Sequence, residues 1–251
     1  MDKISAKNIL INSNIPVSEY RIITEKEFID EKEKSIKRIE ELPYPLFIKP
    51  SNGGSSIGVS RAKNKNELIN SLEIAFAFDS NVLIESEFIH DTEINISCLG
   101  NYDDEILVSE CEEVYSDNDF LDFENKYLKG DKSKKNVTIT GSKGMSSTNR
   151  KIPADISEEL KKQIISCAKK AFINLKCGGV ARIDFLVNKK ENKMVLVEVN
   201  TIPGSLSFYL WEKTNLSFDK LIDKLIELAF EKQERKSKKL RYFKSNIFKN
   251  I

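Results

Sequence analysis

Residues Gly179 to Gly204, GVARIDFLVNKKENKMVLVEVNTIPG, decide the fold of this chain, because they predict two neighbouring strands joined by a charged turn. In the first strand, Val180 to Val187, the side chains of Arg182 and Asp184 fall on one face, since successive strand side chains point to opposite sides of a sheet. The second strand, Met194 to Val199, is apolar and ends in polar residues. The stretch therefore predicts a sheet with chemistry at one edge.

Oxygen-bearing side chains converge where these two strands meet. Asp184 in the first strand and Glu198 and Asn200 at the end of the second supply the carboxylate and amide oxygens that Mg²⁺ prefers. Arg182 lies beside them and is suited to holding an anion. A structural salt-bridge cluster around Arg182 is the alternative. Metal binding is favoured over it, because the two acids would repel each other without a cation.

Composition narrows the class of protein. The 251 residues are 40% hydrophobic, enough for one large domain or two modest ones. With 40 basic and 39 acidic residues, the net charge of +1 gives no field that would attract nucleic acid or a membrane. No apolar run reaches membrane-spanning length and no leader is visible, so we expect a cytoplasmic protein.

Cysteine and histidine usage argues against zinc and against histidine-based acid/base chemistry. The chain has one histidine and four scattered cysteines without metal-ligand spacing. We expect the cysteines to be buried free thiols in a reducing compartment. The residues concerned are His90, Cys98, Cys111, Cys167 and Cys177.

Hydrophobic periodicity predicts both helices and strands along the chain. Thr24 with Glu27, and Asn64 with Glu67, have the spacing of helix N-terminal caps. Residues 115–151 are polar and predict a long loop, and from residue 231 the basic tail predicts a solvated, frayed end rather than a lipid-binding or partner-binding helix. The predicted helices are 2–14, 25–40 (exposed on most sides), 64–78, 157–176, 206–213 and 218–230, and the predicted strands are 20–23, 46–48, 59–61, 82–87, 93–99 and 106–111.

The turn at residues 51–58, SNGGSSIG, offers backbone N–H groups and hydroxyls that can surround phosphates. It is not a Walker A loop, and an ordinary hairpin is the alternative. Lys49, at the end of the preceding strand, favours phosphate binding because it adds a positive charge. Further on, residues 84–89 could form an extended linker that binds an adenine ring, and Glu93 could accept hydrogen bonds from ribose, although a solvated glutamate is the alternative.

Five motifs then follow in a fixed order: KPSNGGSSIGVS (49–60), LIESEFI (83–89) with Glu93, FENKY (123–127), ARIDFLV (181–187) and VEVNTIPG (197–204). This series resembles the D-alanine:D-alanine ligase family of the ATP-grasp superfamily, from Met1 to about Phe230. The resemblance implies an α+β ATP-grasp fold whose two α+β subdomains enclose the nucleotide. It implies a central subdomain at 1–86, a C-terminal subdomain at 87–230 with a lid at about 115–151, and a basic tail at 231–251.

The resemblance also implies a role for individual residues. ATP and two Mg²⁺ ions, for which Mn²⁺ could substitute, would be the cofactors. Arg182 and the backbone N–H of Gly204 would stabilise the tetrahedral intermediate, while Ser55 and Tyr127 would lie on loops that close over the reacting groups. ATP would be contacted by Lys3, Lys49, Ser55, Ser56, Glu87, Ile89, Glu93 and Lys126, and the metal ions by Asp184, Glu198 and Asn200.

The implied reaction transfers the γ-phosphoryl group of ATP to a carboxylate, and an amine then attacks the acylphosphate to form an amide. The family carries out this step in peptidoglycan synthesis for the cell wall. Small amino acids or peptides would be the other substrates. The alternatives are an ATP-grasp ligase for a different amino acid or peptide, and a non-catalytic nucleotide-binding subunit.

The chain departs from the family pattern at two places. Family members begin with a further domain that helps to bind the first substrate, so we expect that domain to be absent here and a second copy or a separate chain to supply it. After Gly204, where the family usually places a serine for the second substrate, the chain reads Ser205 to Trp211, SLSFYLW. The large aromatic residues suggest another acceptor or a closed pocket, with a core role as the alternative.

Overall fold

A computed structural model describes residues 2–115 and 149–239. These residues form two antiparallel sheets, one of four strands and one of six, each packed against helices. The larger sheet contains most of the predicted site, and the smaller sheet contains Lys49, the first residue of the first motif.

The first sheet has the strand order β1-β4-β2-β3. Its strands are short, and β4 is almost wholly buried, with Leu46 and Ile48 of β2 and Val82 and Ile84 of β4 in the core of the sheet. Two-sided burial makes a charged residue within β4 costly unless it is paired. The strands are β1 (Tyr20–Thr24), β2 (Leu46–Pro50), β3 (Ser60–Ala62) and β4 (Asn81–Ser86).

The helices of this part begin at the predicted caps. Thr24 and Glu27 form a complete capping box, and the Asn64 side chain accepts a hydrogen bond from the Glu67 backbone N–H at 3.0 Å. The predicted helix 25–40 is wrong in one respect, because it is interrupted at Glu31, where φ is −134°. No glycine or proline marks this break. The helices are α1 (Lys3–Asn12), α2 (Glu25–Asp30), α3 (Lys32–Ile39) and α4 (Lys65–Phe76).

Residues 25–40 are exposed on most sides, as predicted, and only one narrow face of this segment is buried. Phe28, Ile36 and Ile39 are buried and pack with the first sheet in one hydrophobic cluster. Many charged residues lie between these three, so the composition of the segment does not indicate an apolar face. The spacing of the three apolar residues does indicate it.

The second sheet has the strand order β10-β9-β5-β7-β8, with β6 paired to β5. The predicted strand 106–111 is confirmed only in part: β6 pairs with β5 as expected, but it is short, and a separate strand, β7, follows it. The last residues of the predicted loop 115–151 form strand β8, which pairs with β7. The strands are β5 (Thr92–Asn101), β6 (Leu107–Val108), β7 (Glu112–Tyr115), β8 (Asn149–Lys151), β9 (Gly178–Asn188) and β10 (Lys193–Asn200).

One face of the second sheet packs on helix α5 (Glu158–Asn174) through a large core that includes Ile96, Phe172, Ile183 and Phe185. At one end of the other face, Leu99 and Val180 pack with Trp211 and Leu221 of two later helices. The rest of that face carries polar side chains. This face of the second sheet therefore has an apolar end and a polar end, and the candidate site lies at the polar end.

Between Gly204 and Ser237, the structure differs from the prediction in two places. A 3-10 turn (Gly204–Ser207) precedes α6 (Phe208–Glu212), in place of one helix over 206–213. Helix α7 (Phe218–Ser237) extends beyond the predicted end at residue 230, so residues 231–237 are helical and not frayed, although most of them are exposed, as predicted for a solvated end. Within this extension, the Arg235 guanidinium pairs with Asp103 at 2.9 Å and also with Asp104, which connects the helix to the segment after β5.

Helix α1 contacts both halves of the chain. Its Leu10, and Ile15 just after it, lie in the core of the second sheet, while its Lys7 pairs with Glu85 of the first sheet. The proposed boundary at residues 86 and 87 therefore divides the strands of the two sheets, but helix α1 is shared between them.

Four free cysteines are present, of which Cys98, Cys111 and Cys177 are buried as predicted and Cys167 is partly exposed. No helix within the described residues is long and apolar enough to cross a membrane.

We expect Gly58→Ala to lower the free energy of unfolding by about 1–3 kcal/mol, because it overpacks a tight site. Gly58 has φ +70°, and an added Cβ would lie 2.6 Å from Phe78 Cδ2 and 2.8 Å from Pro50 Cγ. Urea denaturation measures the change. Gly54→Ala is the matched control, since its Cβ would meet nothing within 4 Å. Equal stability of the two variants would contradict the prediction.

Candidate functional site

Four side chains lie in a line across the polar face of the second sheet, and we call Glu198, Asp184, Asn95 and Glu112 the acidic row. Glu198 of β10 is opposite Asp184 of β9, Asp184 is opposite Asn95 of β5, and Asn95 is opposite Glu112 of β7. Directly opposed residues in a sheet share a face at about 5 Å between Cβ atoms. The register thus brings three acids and an amide from distant parts of the chain into one line.

Arg182 and Asp184 share one face, as the strand alternation predicts. Arg182 Nε donates to Asp184 Oδ1 at 2.7 Å and Nη2 donates to Asp184 Oδ2 at 2.8 Å. These hydrogen bonds raise the pKa of Arg182 above its ordinary value. Asn200 Nδ2 also donates to Asp184 Oδ2, at 2.7 Å. The guanidinium is therefore oriented by two hydrogen bonds and remains partly exposed at the sheet surface.

Glu198 differs from Asp184 in its surroundings. It follows a register irregularity between Leu196 and Glu198 and is exposed. Within the described part of the chain, no hydrogen bond or ion pair engages its carboxylate. Its charge nevertheless acts on Lys3: burial lowers the pKa of Lys3, and Glu198 opposes that shift. Lys3 also experiences the charge of Lys49, so groups from both sheets face one space.

Glu93 lies beside the acidic row, on the same strand face as Asn95. Burial raises its pKa above the ordinary value, and the neighbouring charge of Asp184 raises it further. In the orientation that satisfies its amide, Asn95 donates to Asp184 Oδ1 at 3.0 Å and to Glu93 Oε1 at 3.1 Å. The ribose role predicted for Glu93 is untested, and its surroundings are more acidic than a simple solvated site.

On the first sheet, Lys49 belongs to a buried ion cluster. Lys49 Nζ lies 2.6 Å from Glu85 Oε2, and Lys7 Nζ contacts Glu85 Oε1. Burial alone would raise the pKa of Glu85, but Lys49 and Lys7 outweigh it and hold this pKa at about 2. The carboxylate is therefore ionised and holds the Lys49 ammonium at the edge of the site.

The glycine–serine turn is fastened at its base to the start of helix α1. Lys3 Nζ donates to the Gly53 carbonyl at 2.9 Å, and the Lys3 backbone N–H donates to the Ser51 carbonyl at 2.9 Å. At its tip, Ser55 and Ser56 are exposed and have left-handed φ angles of 55° and 58°. Their hydroxyls face solvent, so the phosphate contacts predicted for them remain predictions.

The two residues predicted at the adenine linker, Glu87 and Ile89, follow strand β4. Glu87 pairs with Arg61 at 2.8 Å, and the Ile89 side chain is 79% exposed. The Ile89 carbonyl accepts a hydrogen bond from Asn188 Nδ2 at 3.3 Å. Lys126 and Tyr127 lie outside the described residues.

After Gly204, the chain turns through three consecutive left-handed residues, Ser205, Leu206 and Ser207, with φ between 50° and 54°. Such angles cost roughly 1–2 kcal/mol for each non-glycine residue. Gly204 itself is exposed, with nothing within 4 Å of an added Cβ, which leaves room beside its backbone. An observed strained turn next to a predicted catalytic glycine is typical of a functional segment.

The left-handed turn places Tyr209 against the end of the acidic row. Tyr209 Oη donates to Glu112 Oε2 at 3.1 Å, and the Arg150 guanidinium lies 5.1 Å from the Tyr209 ring centre. Arg150 Nη1 also pairs with Glu112 Oε1 at 3.2 Å. Burial, and then the charge of Glu112, raises the pKa of Tyr209 to about 12, so the phenol remains protonated.

Sequence reasoning missed several of these residues. An acidic residue inside the buried strand Val82–Ser86 is a signal that could have identified Glu85, because such a charge must be paired. Glu112, Arg150 and Tyr209 carry no such signal, since their contacts depend on how β7, β8 and α6 meet.

The donor set suits a hard cation only in part. Among the described residues, no group of three or more His, Cys, Asp or Glu side chains has metal-binding geometry. The predicted set has two carboxylates, Asp184 and Glu198, and one amide, Asn200. Asp184 already accepts hydrogen bonds from Arg182 and Asn200, whereas Glu198 is open to a cation. Oxygen donors of this kind fit Mg²⁺, which completes its shell with water and phosphate oxygens.

Comparison with known proteins places this geometry in a family. The model of the family described as "D-ala D-ala ligase C-terminus" matches residues 9–227. The chain belongs to this family.

Relatives in the D-Ala–D-Ala ligase family are similar along nearly the whole chain. The D-alanine–D-alanine ligase of Acetivibrio thermocellus is 42% identical over 92% of this chain, and that of Thermosipho africanus is 38% identical over 99%. These alignments cover 58% and 62% of the two relatives. The chain thus spans about three fifths of the length of these ligases.

Solved structures agree with this assignment. The VanG D-Ala:D-Ser ligase of Enterococcus faecalis has a TM-score of 0.73 at 30% identity, covering 91% of this chain and 61% of its own. The D-alanine–D-alanine ligase of Coxiella burnetii has a TM-score of 0.72 at 26% identity, covering 95% of this chain and 59% of its own. The α+β architecture with two sheets is therefore that of the ATP-grasp D-Ala–D-Ala ligases.

Proposed function

We propose that this chain carries the nucleotide-binding and acyl-transfer part of an ATP-dependent carboxylate–amine ligase. The observation that carries the proposal is the acidic row with Arg182 hydrogen-bonded to Asp184 on the second sheet, together with Lys49, which is paired with Glu85 on the first sheet. The charges of Lys49 and Glu198 both affect the pKa of Lys3, in agreement with this arrangement. Phosphoryl transfer needs positive charge on phosphates opposite carboxylates that bind a cation.

In this proposal, Lys49 and Lys3 bind phosphate oxygens, and the turn at 51–58 covers them. Asp184, Glu198 and Asn200 would hold Mg²⁺, which neutralises phosphate charge when it is bound. Arg182, oriented by Asp184, and the Gly204 backbone N–H would bind the oxyanion that forms when an amine attacks the acyl group. Because the reaction consumes ATP, we propose that it takes place in the cytoplasm.

A second candidate is a ligase of the same chemistry for a different amino acid or peptide. The observation that favours it is the contact of Tyr209 with Glu112 and Arg150, directly after the Gly204 turn. A bulky phenol anchored there narrows the approach to the acyl group. Phosphate release should be measured with panels of D- and L-amino acids and short peptides, with products identified by mass. Product from D-alanine alone supports a D-alanine:D-alanine ligase, and turnover only with other acceptors supports the second candidate.

We expect Glu198→Ala to weaken magnesium-dependent ATP binding by about tenfold or more, because the open carboxylate of the donor set is lost. Titration calorimetry with and without magnesium chloride measures the effect. Glu191→Ala is the matched control, because Glu191 is an exposed acid in the turn between β9 and β10 and pairs with Lys193. If both variants kept the affinity and magnesium dependence of the parent chain, the metal assignment would be wrong.

A further inference from the structure

Helix α1 presents two lysines on one face, since Lys3 and Lys7 are separated by four residues. Lys3 reaches the glycine–serine turn, where its Nζ donates to the Gly53 carbonyl. Lys7 lies deeper and is only 3% exposed. A lysine is rarely buried to this degree without a specific charge partner.

The partner of Lys7 is Glu85, which is 4% exposed. The two oxygens of this carboxylate are divided between two lysines: Lys7 contacts Oε1, and Lys49 lies 2.6 Å from Oε2. Lys7 and Glu85 are both inside the protein, whereas the Lys49 side chain remains 18% exposed. Of the three groups, Lys49 is thus the one that can meet a ligand.

We propose that Lys7 is a positioning residue that balances Glu85 and so leaves the Lys49 ammonium able to bind phosphate. When Lys7 is present, the negative charge of Glu85 acts on two ammonium groups. Glu85 then orients Lys49 but does not fully neutralise the Lys49 ammonium. Without Lys7, the whole charge of a buried carboxylate would act on Lys49. Buried charges interact strongly because water does not screen them, so Lys49 would be drawn away from phosphate.

This inference rests on the proposed nucleotide binding. It predicts different effects on the binding of ATP and of adenosine, whereas a purely structural role of Lys7 predicts the same effect on both. A lysine that only stabilises the fold would affect all ligands of the site alike when it is removed. A lysine that acts through Glu85 on Lys49 affects the phosphates and spares the nucleoside. The ratio of ATP affinity to adenosine affinity separates the two roles.

The test titrates the full chain with ATP and with adenosine, in magnesium chloride, for the parent and for Lys7→Met. We expect Lys7→Met to lower ATP affinity by about tenfold, the size of a lost charge-assisted contact, and to leave adenosine affinity unchanged. Lys34→Met is the control, because Lys34 is exposed and pairs only locally with Glu31 at 2.7 Å. Equal loss of both ligands, or no loss of either, overturns the proposal.

The double variant Lys7→Met with Glu85→Gln controls for a folding defect, because replacing both charges of a buried pair destabilises the fold much less than removing one charge. We expect it to restore the preference for ATP over adenosine to within about threefold of the parent. If the double variant prefers ATP over adenosine as weakly as Lys7→Met does, Lys7 does not act through Glu85. A parent chain that binds neither ligand overturns the proposed function as well, whereas binding with an unchanged ratio in Lys7→Met overturns only the role of Lys7.

Discussion

Glu85→Ala is expected to lower the free energy of unfolding by about 3–5 kcal/mol, because it leaves two lysines without their shared carboxylate. Lys7 is almost fully buried beside it and cannot regain water without local rearrangement. Urea unfolding monitored by circular dichroism gives the value. Glu73→Ala is the control, since Glu73 forms an exposed pair with Lys32 at 3.4 Å that should contribute less than about 1 kcal/mol.

The same carboxylate should make stability sensitive to acid. The pKa of Glu85 is held at about 2 in the folded chain, below its ordinary value of 4.5. A group whose pKa is lowered on folding contributes stability above its unfolded pKa, and that contribution is lost as the pH falls towards the folded value. Stability should thus fall between about pH 4.5 and pH 2, and less steeply in Glu85→Ala. Asp2, whose pKa is also about 2 because of hydrogen bonds from Ser5 and Ser51, retains part of the slope. A Glu85→Ala chain as stable as the parent, with the same acid profile, would show that the cluster contributes nothing.

Arg182→Ala is expected to lower the rate of amino-acid-dependent phosphate release by about 10²–10³-fold, the usual cost of one lost oxyanion donor. The affinity for ATP should change much less, because Lys3 and Lys49 are untouched. Steady-state phosphate release and ATP titration separate the two effects. The guanidinium is oriented by two hydrogen bonds to Asp184, at 2.7 and 2.8 Å, so its geometry matters as well as its charge.

Arg182→Lys tests this dependence on geometry. An ammonium keeps the charge but cannot reproduce the fork to Asp184, so we expect it to recover only a small part of the rate. A lysine variant as fast as the parent would show that Arg182 serves as a simple charge. Arg21→Lys provides the control on the first sheet, where an arginine pairs with Glu41 at 3.1 Å near the surface.

Local patterns predicted the parts of the fold that depend on local physics. Strand alternation placed Arg182 and Asp184 on one face, and the capping pattern located the starts of α2 and α4. The break at Glu31 could not be predicted in this way, because no residue with unusual backbone preferences occurs there. Tertiary packing decides such positions.

The candidate site was only half predictable for a related reason. Asp184, Glu198 and Asn200 lie on consecutive strands, so one hairpin brings them together. Asn95 and Glu112 join the acidic row only through the register of β5 with β9 and β7, and Lys7 of α1 meets Glu85 of β4, which is far from it in the sequence. Contacts between residues far apart in sequence depend on how complete sheets are assembled. The ligand-binding and catalytic roles assigned to all of the predicted site residues stay predictions.

The pairing of β5 with β9 has a kinetic consequence. It joins residues 92–101 to residues 178–187, so a long intervening segment must be closed into a loop before the acidic row exists. Long-range strand pairing of this kind is slow compared with the formation of local helices. Until it is complete, β5 and β9 lack each other as partners, and chains that stall there would present strand edges able to join those of other molecules. The face that we assign to the chemistry is thus also the part of the molecule whose assembly is most open to misfolding.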